Sequence, residues 1–329
     1  MTEDYVLRVK ALDVRYFTDA GIVEATNKVS FRLKSGERLG LAGESGSGKS
    51  TTALAILRMI KPPGRIAGGE IWLDDTDITR LSENEMRHLR GSQISLIPQA
   101  AMNSLNPVIR IENQLTDAMR DHGLNLSKVE MKERAAKALE AVELDPAVGR
   151  MYAHQLSGGM KQRVCIAISI IMSPRVIIAD EPTSALDVVT QRQVMQTISR
   201  LQAQMGSAVI LIGHDMGLMA QFVDRLAVMY AGRLVEIGAV KEMFSNPLHP
   251  YTRLLIDSLP RLDHKGEFRG IPGLTPSLLD LPPGCVFNAR CPQAMEVCTQ
   301  AIPLTLSKGP TRRIACHLYT NGASPKQGY

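Results

Sequence analysis

Nine consecutive residues, Gly43-Glu44-Ser45-Gly46-Ser47-Gly48-Lys49-Ser50-Thr51, constrain this chain more than any other stretch. They satisfy the pattern G-x-x-x-x-G-K-S/T. They stand between an apolar run, Arg38 to Ala42, that reads as a buried strand and a segment, Thr52 to Ile60, that reads as a helix. Three glycines let the backbone curl with its N–H groups facing inward, where they and the helix N-terminus can hold the oxygens of a polyphosphate. In that arrangement Lys49 reaches the β- and γ-phosphates, and the Ser50 hydroxyl takes a coordination position on Mg²⁺. The fold class expected around such a loop is α/β.

Length and composition bound the rest. The 329 residues suffice for one large domain and a smaller one, and 44% hydrophobic with 22% charged residues is ordinary for a globular protein. No stretch approaches the ~20 apolar residues of a membrane span. The start, Met1-Thr2-Glu3-Asp4, lacks a basic segment followed by an apolar one, so a cytoplasmic location is expected. A net charge of +5 without a basic cluster argues only weakly for nucleic acid or an anionic membrane face, and no nucleic-acid partner is expected. Of the five cysteines, Cys165 is alone on an apolar helix and expected to be buried, whereas Cys285, Cys291, Cys298 and Cys316 crowd the C-terminal end. In a cytosolic setting such a cluster suggests metal before disulfides.

Along the chain, Leu7 to Tyr16 and Val29 to Leu33 alternate as strands of a half-exposed sheet, with Asp19-Ala20-Gly21 as a turn between them. Gly68 to Leu73 returns as a strand on which Trp72 is expected to pack. From about 105 to 166 the pattern becomes helical. Val129 to Leu144, with a stripe of Ala135, Ala136, Leu139 and Val142, reads as a helix of a lobe inserted into the core. Val176 to Ala179 and Val209 to Ile212 are fully apolar, the pattern of parallel strands covered on both faces, and Val188 to Gln204 reads as the crossover helix between them. Arg225 to Gly238 reads as a hairpin about Ala231-Gly232. Past Pro247 the chain turns proline-rich, and a metal staple would compensate for its small core.

Two further elements specify the chemistry. Val176-Ile177-Ile178-Ala179-Asp180-Glu181 ends an apolar strand in two carboxylates: Asp180 can hold Mg²⁺ through its water shell, and Glu181 can orient or deprotonate an attacking water. In Leu156-Ser157-Gly158-Gly159-Met160-Lys161-Gln162-Arg163, Ser157 and the Gly158 and Gly159 amides make a small anion-binding nest, or a plain helix cap.

The LSGGxxQR segment between a phosphate loop and an acidic strand resembles the signature of ABC-transporter ATPases. That resemblance implies a phosphate-loop NTPase fold with a RecA-like core, an antiparallel β subdomain, an inserted helical subdomain and, here, a small cysteine-containing extension. It implies a cassette over 1–246, with the helical subdomain at about 105–166, and an extension over 247–329. It also implies ATP and Mg²⁺ as ligands, with the Ser157 nest meeting the γ-phosphate held by a second subunit. Tyr16 resembles the aromatic that stacks on adenine, and Gln99 the glutamine that touches Mg²⁺ and the attacking water, although Ile97-Pro98-Gln99-Ala100-Ala101 departs from the usual F-Q-D-P. Ser184-Ala185-Leu186-Asp187 resembles the loop that communicates across the dimer. His214 resembles the switch histidine, with Gly213 where threonine is usual.

Asn246-Pro247-Leu248-His249-Pro250-Tyr251-Thr252, then Ile271-Pro272-Gly273 and the cysteines, are similar to the extension of ATPases of the oligopeptide, dipeptide and nickel uptake branch. Members with the spacing Cys285-x5-Cys291-x6-Cys298-x17-Cys316 hold a 4Fe-4S cluster. Zinc, with His317 able to replace a cysteine, and metal-free thiols are the alternatives. The implied partners are a second ABC ATPase subunit, identical or homologous, two transmembrane permease subunits and, indirectly, a solute-binding protein, on the cytoplasmic face of the membrane. Uptake of peptides is the function this implies. Import of short oligosaccharides or nickel, a soluble ATPase acting on nucleic acid or the ribosome, and a regulator without turnover are the alternatives.

Overall fold

The computed structural model describes residues 5–99, 104–184, 186–259 and 270–320. Met1 to Asp4, Ala100, Ala101 and Ala185 therefore lie outside the described residues. The strands are β1 (Tyr5–Thr18), β2 (Gly21–Lys34), β3 (Arg38–Ala42), β4 (Gly64–Leu73), β5 (Thr76–Asp77), β6 (Ile94–Ile97), β7 (Val176–Asp180), β8 (Ala208–Ile212), β9 (Arg225–Tyr230), β10 (Arg233–Ala239), β11 (Thr305–Ser307) and β12 (Arg313–Ala315). The helices are α1 (Lys49–Ile56), α2 (Glu83–Leu89), α3 (Ile111–Asp121), α4 (Lys128–Ala141), α5 (Gly158–Ile170), α6 (Val188–Met205), α7 (Met216–Phe222), α8 (Val240–Ser245), α9 (Pro250–Asp257) and α10 (Val297–Gln300). Among them none is long and apolar enough to cross a membrane. The fold is mixed α/β with a phosphate loop and an antiparallel β subdomain, and the chain divides into two compact units.

One unit comprises Thr76–Ile212 with Met1–Leu7 and Leu33–Arg38. Its centre is the parallel set β6, β7, β8, in which Ile94 to Ile97 pair with Val176 to Ala179, and Val176 to Asp180 pair with Ala208 to Ile212. Ile177, Ile178, Val209, Ile210 and Leu211 are all buried, as full apolar runs require when both faces are covered. Each such side chain contributes about 1.5–3 kcal/mol on burial. Helix α5 supplies Val164, Ile166 and Ala167 to this core, and α6 supplies Val194, Ile198 and Leu201. Helices α3, α4 and α5 pack on one another. In α4 the buried residues are Ala135, Ala138 and Leu139, followed by Val142 at the cap; Ala136, expected on this stripe, is only half-buried because it sits one position off the 3.6-residue line.

The other unit comprises Arg8–Arg32, Leu39–Asp75 and Gly213–Tyr329. Strands β2, β1 and β4 lie in that order in one sheet, with β1 and β2 joined by the turn at Asp19 and Ala20. In a second set β3 runs parallel to β9, β9 pairs antiparallel with β10 across Ala231 and Gly232, and the C-terminal β12 and β11 add antiparallel to β10. The proline-rich tail thus extends an existing sheet instead of building one. It also lends Phe287 to an aromatic cluster with Tyr230 and Tyr251, whose ring centres lie 5.1 and 5.3 Å from that of Phe287. Glu236 on β10 and Arg312, both buried, form an ion pair at 2.6 Å, and the Glu236 carboxylate also accepts the N–H groups of Leu248 and His249.

One local expectation is corrected. The helix after the phosphate loop runs from Lys49 to Ile56, not Thr52 to Ile60, because Arg58 takes a positive φ of 51° and leaves the helix. Trp72 packs at the sheet surface: it is half-buried, has Arg8 and Lys10 each 5.4 Å from its ring centre, and donates its indole N–H to Glu70 at 2.8 Å. Period-2 alternation places Trp72 on the opposite face from buried Ile71 and Leu73.

Candidate functional site

The phosphate loop belongs to the second unit. Strand β3 delivers the chain to Gly43, and α1 starts at Lys49. Gly43 and Gly48 have φ of 147° and 98°. A Cβ would stand 2.2 Å from the Met229 carbonyl at Gly43 and 2.4 Å from the Ala25 carbonyl at Gly48, so neither position accepts a side chain. Lys49 is buried, and its Nζ donates to the carbonyls of Gly43 and Glu44 at 2.8 Å each and to Ser47 Oγ at 3.3 Å. The ammonium is thus tied to the loop that curls around it. Ser45 and Gly46 at the loop tip are exposed, Ser47 is buried with its carbonyl accepting the Gly232 N–H, and Ser50 and Thr51 are half-buried in the first turn of α1. Inward-facing amides at a helix start, with a lysine among them, can hold a polyphosphate.

Glu44 is restrained on every side, and this was not visible in the motif. Its N–H donates to Tyr251 Oη at 2.9 Å, and its carboxylate takes a two-pronged contact from Arg290 at 2.7 and 2.9 Å. Both partners lie far along the chain, 207 and 246 positions on; the sequence signal was the Asn246 to Thr252 stretch for Tyr251 and the neighbouring Cys291 for Arg290.

In the same unit Tyr16 is half-buried, with its ring laid on Gly64, while the Phe17 ring takes the Arg65 guanidinium at 4.1 Å. His214 is exposed at the head of α7, which Asp215 caps by accepting the Leu218 N–H. A side chain at Gly213 would begin 3.2 Å from the Met219 methyl, so a threonine here would displace that methionine.

The acidic residues belong to the first unit. Pairing of β6 with β7 sets Ile97 opposite Ala179, so the residues two beyond that pair converge: Gln99 Nε2 donates to Glu181 Oε2 at 2.7 Å. Glu181 has a φ of 45°, a strained value for a residue with a side chain. It is held there by its N–H on the Ile212 carbonyl and by Ser184, whose N–H and hydroxyl both donate to the Glu181 carbonyl. Asp180 ends β7. A carboxylate fixed by a glutamine beside a second carboxylate is equipped to bind and polarise a water.

Ser157 caps α5, its Oγ accepting the Met160 N–H at 3.3 Å, with Gly158 and Gly159 in the first turn. Asp187 caps α6 by accepting from Val189 and Thr190; the Thr190 hydroxyl bond, chiefly, holds its carboxyl below the usual range.

Cys285, Cys298 and Cys316 are buried and Cys291 is half-buried, all four as free thiols. The Cys298 sulfur accepts the Met295 N–H at 3.5 Å. Burial raises the thiols of Cys285 and Cys291 and pushes that of Cys316 up to about 11, and the four sulfurs lie within each other's electrostatic reach. Among the described residues no three His, Cys, Asp or Glu side chains stand in ligating geometry, although four thiols are the donor type that a thiophilic metal takes. His317 Nε2 is already paired with the Ala301 carbonyl at 2.8 Å. Cys165, as expected, is buried, and burial pushes its thiol up to about 12.

Comparison with known proteins bears on this geometry. A family model described as "ABC transporter" matches residues 26–184, and one described as "Oligopeptide/dipeptide transporter, C-terminal region" matches 235–298. The oligopeptide transport ATP-binding protein OppD of Escherichia coli is 45% identical over 304 residues, 92% of this chain and 90% of that one. The dipeptide transport ATP-binding protein DppD of Bacillus subtilis is 42% identical over 317 residues, 95% of this chain and 94% of that one. The dimeric ATP-binding cassette MJ0796 with bound ADP and Pi superposes with a TM-score of 0.65 at 28% identity, covering 71% of this chain and 98% of that one. Matched by relatives at 45% and 42% identity along nearly its whole length, this chain of glycine loop, acidic strand end and SGG-capped helix belongs to the ABC transporter family of ATP-binding proteins.

Proposed function

We infer that this chain is the ATP-hydrolysing subunit of an importer of oligopeptides or dipeptides. The cargo class rests on its similarity to the two transport proteins above and on the match of its C-terminal region. What supports hydrolysis, as against passive nucleotide binding, is the Glu181 carboxylate held at 2.7 Å by Gln99.

In this reading Gly43, Glu44, Ser45, Gly46, Ser47, Gly48, Lys49, Ser50 and Thr51 grip the phosphates, and Tyr16 stacks on the adenine. Ser50, Gln99 and Asp180 hold Mg²⁺, which when bound neutralises charge on the phosphate oxygens. Glu181 takes the proton of the attacking water, and His214 contacts the γ-phosphate. Ser157, Gly158 and Gly159 cap the γ-phosphate held by a second ATPase subunit, identical or homologous, so two chains enclose the nucleotide. Two permease subunits and a solute-binding protein complete the assembly at the cytoplasmic face of the membrane. The cassette spans 1–246, with a helical subdomain at about 105–166, and the extension spans 247–329. Cys285, Cys291, Cys298 and Cys316 would hold a metal centre, 4Fe-4S in preference to zinc; four thiols within one another's electrostatic reach support that reading.

Glu181→Gln tests the reading. Steady-state hydrolysis is expected to fall by about 10²–10⁴-fold while nucleotide affinity holds. Full turnover by the variant removes Glu181 as the base.

A further inference from the structure

Glu44 occupies one of the unspecified positions of the phosphate-loop pattern, yet all three of its polar arms are engaged. Its carbonyl accepts Lys49 Nζ at 2.8 Å, its N–H donates to Tyr251 Oη at 2.9 Å, and its carboxylate is forked by Arg290. The Arg290 side chain is only 5% exposed. Its other donors are spent on the Tyr230 hydroxyl at 3.1 Å, the Ile271 carbonyl at 3.1 Å and the Pro272 carbonyl at 2.9 Å. The Glu44 contacts hold its guanidinium well above the usual range, so it stays charged at any working pH. Tyr230, packed against Tyr251 at 4.6 Å between ring centres, lies just before the turn whose Gly232 N–H donates to the Ser47 carbonyl at 3.0 Å. Arg290 itself directly precedes Cys291, and the Cys285 N–H and carbonyl are bonded to Cys298 and Asn288. One buried charge-assisted contact therefore joins the lysine-bearing loop to the cysteine-bearing segment.

We propose that Arg290 and Tyr251 are positioning residues for nucleotide binding: through Glu44 they hold the loop in the conformation that presents Lys49 and the loop amides to phosphate. Because a linkage of this kind is reciprocal, nucleotide in the loop also tightens the segment 285–298. A bidentate arginine sets direction as well as distance, which is what a loop of inward-pointing amides needs. The proposal rests on the reading of the loop as a nucleotide site.

The test uses the full chain and Mg-ADP. Arg290→Gln is expected to weaken Mg-ADP, measured by titration calorimetry, by about tenfold or more, and Arg290→Lys, which keeps the charge and loses the fork, by less. Glu44→Gln combined with Arg290→Gln is expected to bind no more weakly than the worse single variant, since both remove one contact. Hydrogen exchange of the amides in 285–298 is expected to slow when Mg-ADP is added to the parent protein, and to ignore it in Arg290→Gln. A merely structural role for Arg290 would not move that nucleotide dependence. Should Arg290→Gln fail to fold, Tyr251→Phe, which loses one hydroxyl, carries the same expectations with a smaller drop in affinity. A folded variant with parental affinity, or a tail whose exchange is indifferent to nucleotide in the parent protein, overturns the proposal. A parent protein that binds no Mg-ADP overturns the nucleotide reading instead.

Discussion

Two turns of serine and glycine open helices in this protein, and they are stabilised by different means. The turn before α1 is held from outside: Gly43 and Gly48 lie against the carbonyls of Met229 and Ala25, Ser47 accepts from Gly232, and Glu44 is clamped by Tyr251 and Arg290. The turn before α5 is held mainly by its own helix, through the Ser157 cap on Met160. The first is preorganised by residues distant in sequence, and the second by three residues in a row. A site that must bind a ligand before anything else happens gains from rigidity, because the ordering cost is met during folding. A local cap can be built anywhere a helix begins, and its geometry survives changes elsewhere in the chain.

The contrast breaks most severely when the support of the first turn is removed at its root. Glu236→Ala leaves Arg312 buried without its carboxylate and frees the N–H groups of Leu248 and His249 that lead into α9. Denaturant unfolding should show a loss of about 3–5 kcal/mol. Nucleotide affinity should fall with it, since Tyr251 rides on α9.

A glycine in each turn sharpens the comparison. Gly48→Ala, at φ 98° with a carbonyl 2.4 Å from the new Cβ, should cost about 1–3 kcal/mol or more in the same assay. Gly159→Ala places its Cβ 3.1 Å from the Thr190 methyl in an otherwise open helical site and should change stability by no more than about 1 kcal/mol. Equal losses for the two variants would erase the distinction.

The support of the first turn also carries a pH dependence. Burial pushes His249 from its ordinary 6.5 down to about 3. Between those values the unfolded chain takes up a proton that the folded chain refuses. Stability is therefore complete above pH ~6.5 and declines as pH falls towards 3, with a slope of up to about 1.4 kcal/mol per pH unit from this group. Unfolding midpoints at pH 7, 6 and 5 should follow that slope, and His249→Asn, which retains a capping acceptor for the Tyr251 N–H, should flatten it. The smallest change is expected at the second turn: Ser157→Ala removes one cap and should cost about 1 kcal/mol, with nucleotide affinity of the isolated chain unchanged.

What could be read without a structure shares one property: its chemistry is contiguous. The glycine loop, the apolar strand ending in Asp180 and Glu181, and the SGG cap each lie within about nine residues, and backbone period or capping rules carry them directly into three dimensions. The parallel strands and the Ala231-Gly232 hairpin were legible for the same reason. What Trp72 packs against was not legible, because strand alternation turns it outward onto Arg8 and Lys10 from a neighbouring strand. The end of α1 was missed because Arg58 leaves helical geometry without a glycine or proline to announce it.

The sequence by itself determined the glycine loop, the acidic strand end and the capped helix, and with the family they mark the class of reaction, ATP hydrolysis. Only the tertiary structure decided which distant residues orient those parts: Gln99 on Glu181 across 82 positions, and Arg290 on Glu44 across 246. Local pattern cannot encode such pairs, because strand order and the return of the tail onto β10 set them, and those follow from burial summed over the chain rather than from any one segment.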